Sequence, residues 1–405
     1  MRKAPNSGSP PKVFLWPTLV GFVCYSSPAL LGRYPQFESN GFSGEWSGVS
    51  SEARWIYGVA LSGMVAGSYL WRLFGNHLPP QGVSDLKSGE RTDLLCMRLL
   101  ATNAALQTIF MSVQHGAVGF FLLPREHLTS ETSFLSVMWP WSVGLYWLFA
   151  SFQPFWRHRA LATGMLVAEA IAGDRTVPVL AIAAFLTAKL LRSSVMRSAS
   201  LVTSAALLGM AAIVWKPFYL WVKSGFSQNT LATLSGEKML VSWEPFLIHE
   251  NLEIVLSHGF QYPLSDSLYD LATQLLIIPS AFGGDSGRFG EVMHETFFPG
   301  TEFGRAYTIL GQMFSMGGYL LVFVGTGLVG FLGAVFWRWG SSSASVFSAL
   351  GYLFAAVVSF YCWRNSIENL AAFMRIILLA NSAPLFVIWW ANAVQVQRRN
   401  RARES

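Results

Sequence analysis

Five ionisable side chains fall within "EVMHETFFPGTEFGRAY" (residues 291–307): Glu291, His294, Glu295, Glu302 and Arg305. The chemistry that suits this set is proton transfer beside an anion. His294 stands three residues after Glu291 and one before Glu295, and a histidine next to a carboxylate holds a proton poised near neutral pH, as a general base needs. Glu295 and Glu302 are alternative bases. A metal is not expected, because "HETFF" lacks the second histidine of a zinc-binding helix. Arg305 in "TEFGRAY" and Arg288 in "GDSGRFGE" each follow a glycine, which lets backbone approach a ligand closely. Arginines on facing loops suit phosphate, whose oxygens the guanidinium fork grips in pairs. A purely structural account competes at each position. Glu302 and Arg305 can pair over one helical turn, and His294 and Arg288 can be solvated loop residues.

A third arginine stands apart. Arg175 lies in "AGDRTVP" (172–178), where Gly173 and Pro178 bracket Asp174 and Arg175 between two short apolar segments. A charge near membrane depth faces a partner or a watery cavity, and broken backbone there is tolerated only inside protein or against such a cavity. The alternative is a local pair with Asp174. Other polar groups are individually weak: His249, Glu250, Glu253 and His258, and the set Arg364, Glu368 and Arg375 in "RNSIENLAAFMR". Arg364 and Glu368 have the spacing to pair across one turn. Arg375 must snorkel or find a partner. Asn103, Gln107 and Gln114 form one stripe at helical spacing, expected to hydrogen-bond neighbouring helices rather than to line a substrate path.

The elements that position these residues follow from composition. The 405 residues are 52% hydrophobic and only 12% charged, half the charge of a soluble domain, and mean hydropathy is +0.41. Apolar blocks about 20 residues long match a bilayer's hydrocarbon. They lie at 13–31, 54–74, 94–118, 135–155, 160–172, 176–191, 200–222, 315–337, 345–363 and 370–392. The expectation is an all-α polytopic membrane bundle of about ten spans. It divides into an N-terminal part (1–222), one large extracytoplasmic loop with short helices across the bundle's mouth (223–314), and a C-terminal part with a basic tail (315–405). The basic residues, among them Arg157, Arg159, Arg192, Arg197, Arg338 and the "RRNRARES" tail, fit short cytoplasmic loops and tails. The net charge of +6 therefore speaks for topology rather than nucleic acid. Cys24, Cys96 and Cys362 read as small buried hydrophobes. Tryptophans at span ends, from Trp139 to Trp390, read as interfacial belts.

Three stretches resemble the bacterial O-antigen or oligosaccharide repeat-unit polymerases. They are "AGDRTVPVLAIAAFLTAKLLR", the large loop ending in "IIPSAF", and "GRAYTILGQMFSMGGYLLVFVGTGLVGFLG" after it. The resemblance implies transfer of a glycan from one polyprenyl diphosphate to another lipid-linked repeat unit, on the outer face of the inner membrane, with no metal or cofactor. It implies diphosphate binding by Arg175 and by Arg288 or Arg305. It also implies partners: the lipid-linked oligosaccharide, the bilayer, a chain-length regulator and a flippase. Many relatives carry an acid within "LGQMFSMGG", where this chain has Gln312, so His294, Glu295 or Glu302 would have to serve as base. An O-antigen ligase and a flippase are the rival readings.

Overall fold

The computed structural model describes residues 10–38, 41–75, 90–116, 135–173, 176–192, 221, 244–276, 288–299, 307–341 and 345–404. It is mostly helical, with one two-stranded hairpin. In chain order the elements are α1 (Pro10–Tyr25), α2 (Ser27–Leu31), β1 (Arg33–Glu38), β2 (Gly41–Gly48), α3 (Ser51–Gly75), α4 (Glu90–His115), α5 (Leu135–Phe152), α6 (Trp156–Ala172), α7 (Thr176–Arg192), α8 (Glu244–Ser257), α9 (Leu264–Leu276), α10 (Phe289–Phe297), α11 (Ile309–Ser341), α12 (Val346–Phe360), α13 (Ile367–Ala380) and α14 (Ser382–Glu404).

The apolar blocks form helices, in which the backbone satisfies its own hydrogen bonds. Among the described residues, Thr92–His115, Ile309–Ser341 and Val346–Trp363 are long and apolar enough to cross a bilayer. The pair α13–α14, bent by 63°, makes a fourth candidate crossing if taken as one span. The expected span at 200–222 lies outside the described residues. Outward-facing residues are apolar in stripes: Leu106, Ile109, Phe110 and Val113 on α4, and Leu320, Val324 and Leu328 on α11. These helices are compatible with a membrane protein.

Small residues let helix backbones approach closely, and α3 against α11 shows it. A Cβ on Gly67 would stand 1.7 Å from the Gly327 carbonyl oxygen, and one on Gly330 2.2 Å from that of Met64. Ser68 Oγ bonds the Met64 carbonyl at 2.7 Å, one turn back on its own helix. The two helices run parallel, since Gly63 meets Phe323 and Gly67 meets Gly327. The α12 helix runs back against α11, with Gly351 seated on Gly340 and the Trp337 and Tyr352 rings 5.0 Å apart.

Among the described residues the helical path is broken at three places. The α6–α7 joint turns at Gly173 (φ 110), as the sequence predicted. The α11 helix breaks at Gly317 and Gly318, and Gly318 takes φ 62, a left-handed conformation that favours glycine. The Ser315 carbonyl beside that break accepts the Tyr262 N–H at 3.3 Å. At Asn381 the α13–α14 bend frees the Ala380 carbonyl, which Asn103 Nδ2 (2.9 Å), Gln107 Nε2 (3.2 Å) and Ser142 Oγ (3.0 Å) all reach. Asn103 and Gln107 thus act as inter-helix glue. Gln114 is exposed; two turns further along α4, it has passed the bend.

Three expectations are corrected. The hairpin was not foreseen. Arg33 pairs with Gly48 and Pro35 with Trp46, with a register irregularity after Pro35. Trp139, Trp141 and Trp337 are buried core residues rather than a belt, whereas Trp156, Trp389 and Trp390 are exposed. Arg364 does not pair with Glu368: it precedes α13, so helical spacing does not apply, and it pairs with Glu244 instead.

Candidate functional site

One end of the bundle gathers the C-termini of α1, α6 and α12 and the N-termini of α3, α7, α11 and α13. Thr176, the first residue after the α6–α7 break, lies 3.1 Å from the Tyr361 hydroxyl. Tyr361 belongs to the 3-10 turn (Tyr361–Trp363) that closes α12. Arg364 stacks 4.8 Å above the Tyr361 ring and donates to the Glu244 carboxylate at the start of α8. Trp363 Nε1 donates to the Thr18 carbonyl at 3.1 Å, tying α1 to the same turn. Glu244, within the expected outer loop, and the expected broken helix pair therefore meet at one mouth.

Beside them lies a buried polar cluster. The Gly317–Gly318 break detaches the first two turns of α11, which carry Gln312. Gln312 is fully buried and donates from Nε2 to Glu368 Oε2 at 2.7 Å and to Ser267 Oγ at 3.2 Å. Ser267 and Asp270 sit on α9, and the Tyr262 hydroxyl donates to Asp270 Oδ2 at 2.9 Å. Burial pushes the Asp270 carboxyl above the usual carboxylate range. The charges of Glu368 and Glu291 push the same way, and together they outweigh the Tyr262 hydrogen bond and the Arg288 charge. Burial, with the Asp270 hydrogen bond behind it, also raises the Tyr262 hydroxyl. A carboxyl held up in this way can exchange a proton closer to neutral pH. About two turns down α13 from Glu368, Arg375 keeps a buried Nε that no described residue hydrogen-bonds.

A second cluster joins α8 to α3 and the hairpin. His249 is fully buried, with Nε2 3.2 Å from Glu253 and Nδ1 3.3 Å from the Tyr57 hydroxyl. The Tyr34 ring meets His249 edge-on at 5.1 Å. The Ser50 N–H donates to Glu253 at 2.9 Å. Burial alone would raise the Glu253 carboxyl, but the hydrogen bonds from His249 and from Ser50 outweigh it and hold it low. These contacts set His249 at the junction of α8, α3 and the hairpin.

The residues singled out in the sequence divide unevenly. His294 and Glu295 lie on α10. His294 is half-buried, with Nδ1 3.5 Å from the Tyr307 hydroxyl, and Glu295 is exposed. Glu291 accepts the Arg288 N–H at 3.0 Å, which closes the first turn of α10. It is thus committed to the helix end rather than to His294. Arg288 is exposed, and its charge acts on Asp270. Arg175, Glu302 and Arg305 lie outside the described residues. His258 is exposed beside Ser257, and His249, Glu250 and Glu253 are buried.

Sequence reasoning passed over Asp270, Tyr262 and Ser267, and also Glu169, which is fully buried in the last turn of α6. The available signal was polar residues at 267, 270 and 274 on one side of a leucine-rich helix. No family model, curated protein or solved structure matches the chain.

Proposed function

We propose that this chain is a polytopic glycosyltransferase of the bacterial inner membrane. It extends a polysaccharide by joining polyprenyl-diphosphate-linked oligosaccharide units at its extracytoplasmic face. About ten crossings place both termini in the cytoplasm. The observation that carries this reading is the mouth where the buried Asp270–Tyr262 and Gln312–Glu368 pairs lie near Arg375, whose buried Nε has no hydrogen-bond partner among the described residues. The helix ends bearing Arg157, Arg159, Arg192 and Arg338 lie a helix length away at the opposite end of the bundle, as cytoplasmic basic residues do.

In the proposed reaction an acceptor sugar hydroxyl loses its proton to a base from among His294, Glu295 and Glu302. Its oxygen attacks the anomeric carbon of the donor glycan, and the bond to the diphosphate oxygen breaks. Polyprenyl diphosphate departs with the electron pair, stabilised by Arg175, Arg288 and Arg305. A ligase would use the same donor with a different acceptor. A transporter is the second reading, favoured by the helix breaks at Gly173, Gly317–Gly318 and Asn381, since discontinuous helices build transport sites.

The test uses purified protein in lipid vesicles with a polyprenyl-diphosphate-linked oligosaccharide and a chelator present. The expected result is a ladder of longer lipid-linked glycans, with one polyprenyl diphosphate released per bond formed. Movement of the lipid across the vesicle wall without lengthening would establish the transporter and sink the transferase.

A further inference from the structure

Helix α9 has its polarity the wrong way round for a helix in water. Ser267, Asp270 and Gln274 are buried, at 4, 5 and 6% exposure, while Leu264, Leu268 and Leu275 stand out at 45, 57 and 53%. At 3.6 residues per turn, Leu264, Leu268, Leu271 and Leu275 form one stripe, and Ser267, Asp270 and Gln274 form another about a quarter-turn away. The buried polar residues have partners: Ser267 takes a hydrogen bond from Gln312, and Asp270 takes one from Tyr262. The orientation is therefore fixed by specific bonds and is not a consequence of loose packing. A helix at a water boundary would turn its leucines inward and its carboxylate outward.

We infer that α9 is immersed in the bilayer's hydrocarbon, with its leucine stripe against lipid acyl chains and its polar stripe turned to the protein. The segment Leu264–Leu276 would then be part of the membrane domain, although it belongs to the stretch that reads as an extracytoplasmic loop.

Continuity with the rest of the apolar surface supports acyl chains as the occupant. The α9 helix packs along α13, and α13 continues after the bend into α14, which exposes Phe386, Val387, Trp389 and Trp390. Across the Gly317–Gly318 break, α11 exposes Leu320, Val324 and Leu328. The α9 stripe thus joins, through its packing on α13, a bundle whose membrane-length helix α11 also presents an exposed apolar face, as a lipid-facing belt requires. The first turn, with Ser265 bonded to Asp266, is the part suited to the headgroup level. The inference stands apart from the proposed catalysis and survives its failure.

The test places nitroxide labels on the full-length protein in phosphatidylcholine vesicles, with Cys24, Cys96 and Cys362 replaced by alanine. Labels go at Leu268→Cys and Leu275→Cys, with Leu320→Cys as the lipid-facing reference. Relaxation by oxygen, which concentrates in hydrocarbon, is compared with relaxation by a water-soluble nickel chelate. The inference expects the oxygen-to-nickel ratio at 268 and 275 to match that at 320. Relaxation dominated by nickel would put the stripe in water, and low relaxation by both agents would put it under a second copy or a partner protein. Either result overturns the inference. A second measurement uses the unaltered protein, should the cysteine-free background not fold. A phosphatidylcholine with a photoactivatable group in its acyl chain is expected to label the 264–276 peptide, and absence of label there with α11 labelled overturns it as well.

Discussion

Gln312 donates its side-chain amide to Glu368 at 2.7 Å, and its carbonyl oxygen accepts the backbone N–H of Ile367 at 2.8 Å. One side chain from the detached start of α11 therefore caps α13, where Ser366 offers no side-chain cap of its own. The first N–H groups of a helix need partners from outside it, and a carboxylate in the first turn is favoured by the helix dipole. The arrangement holds two broken elements in register at the mouth.

Replacing Gln312 with alanine leaves a buried carboxylate and a buried N–H each short of a partner. The cost is about 1–3 kcal/mol for each group left unsatisfied. A lower melting temperature in detergent is expected. Gln312→Glu should be worse at neutral pH, since two carboxylates would face each other, and should improve as pH falls. The double variant Gln312→Glu, Glu368→Gln restores one acid and one amide. Its stability should exceed that of Gln312→Glu alone, and a strictly additive double variant would refute the pairing.

The α3–α11 crossing predicts a sharp contrast between glycines. Gly67→Ala would drive a methyl into the Gly327 backbone, 1.7 Å from its oxygen. Helices must separate to accept it, so loss of the monodisperse peak on size-exclusion chromatography is expected. Gly58 is on the same helix with nothing within 4 Å of a Cβ. Gly58→Ala should be neutral or slightly stabilising, because alanine restricts the unfolded chain more than glycine does.

The same contrast shows what sequence could reveal. Helix positions were legible because the apolar residues come in blocks about as long as a membrane-crossing helix. The α6–α7 break was legible because Gly173, Asp174 and Pro178 interrupt such a block. The Gly317–Gly318 break was not, since two glycines inside an apolar run look like close helix packing, which is their role elsewhere in α11. The hairpin was missed although Asn40–Gly41 is a hairpin signal, because Pro35 and scattered serines mask the alternation. The Gln312–Glu368 bond spans 56 residues, and nothing local in either stretch specifies the other. His294 attracted notice through its acidic neighbours, yet Glu291 is spent on the end of its own helix.

Asp270 and Glu253 should give pH dependences of opposite sign. Glu253 is held low, so the unfolded chain binds its proton more readily, and this contribution to stability is present above the unfolded pKa and lost as pH falls through the folded one. Asp270 is raised, so the folded protein binds its proton more readily, and stability from this site falls as pH rises from the unfolded pKa through the folded one. Relative to the parent, Glu253→Gln should lose most stability near neutral pH and little in acid. Asp270→Asn should gain relative to the parent as pH rises. Melting temperatures across the acid-to-neutral range, measured for all three proteins, check both signs.

The triple acceptance at the Ala380 carbonyl predicts non-additivity. Any one of Asn103→Ala, Gln107→Ala or Ser142→Ala leaves two donors in place, and each should cost under about 1 kcal/mol, the net worth of a typical hydrogen bond. Removing all three orphans a carbonyl at a helix bend. The triple variant should therefore lose more stability than the three single losses added together. Equal sums would mean that the bend finds its partners elsewhere.

The arginines separate the proposed chemistry from structure. Arg288 is exposed at a helix end, so if it plays no part in binding, Arg288→Ala will leave turnover unchanged. If it grips a diphosphate, turnover should fall roughly tenfold or more, the loss of one charge-assisted contact of about 1.5–3 kcal/mol, with melting unaffected. Arg375 has a buried Nε without a hydrogen-bond partner among the described residues. Removing such a cation relieves a desolvation cost, so Arg375→Gln should melt at or above the parent temperature. Under the proposed reaction the same variant should extend lipid-linked glycans more slowly, because the departing diphosphate has lost a positive charge at the mouth. The vesicle assay of chain lengthening reads this directly. A stabilised Arg375→Gln protein with full activity would remove Arg375 from the site and leave the transfer to Arg175, Arg288 and Arg305.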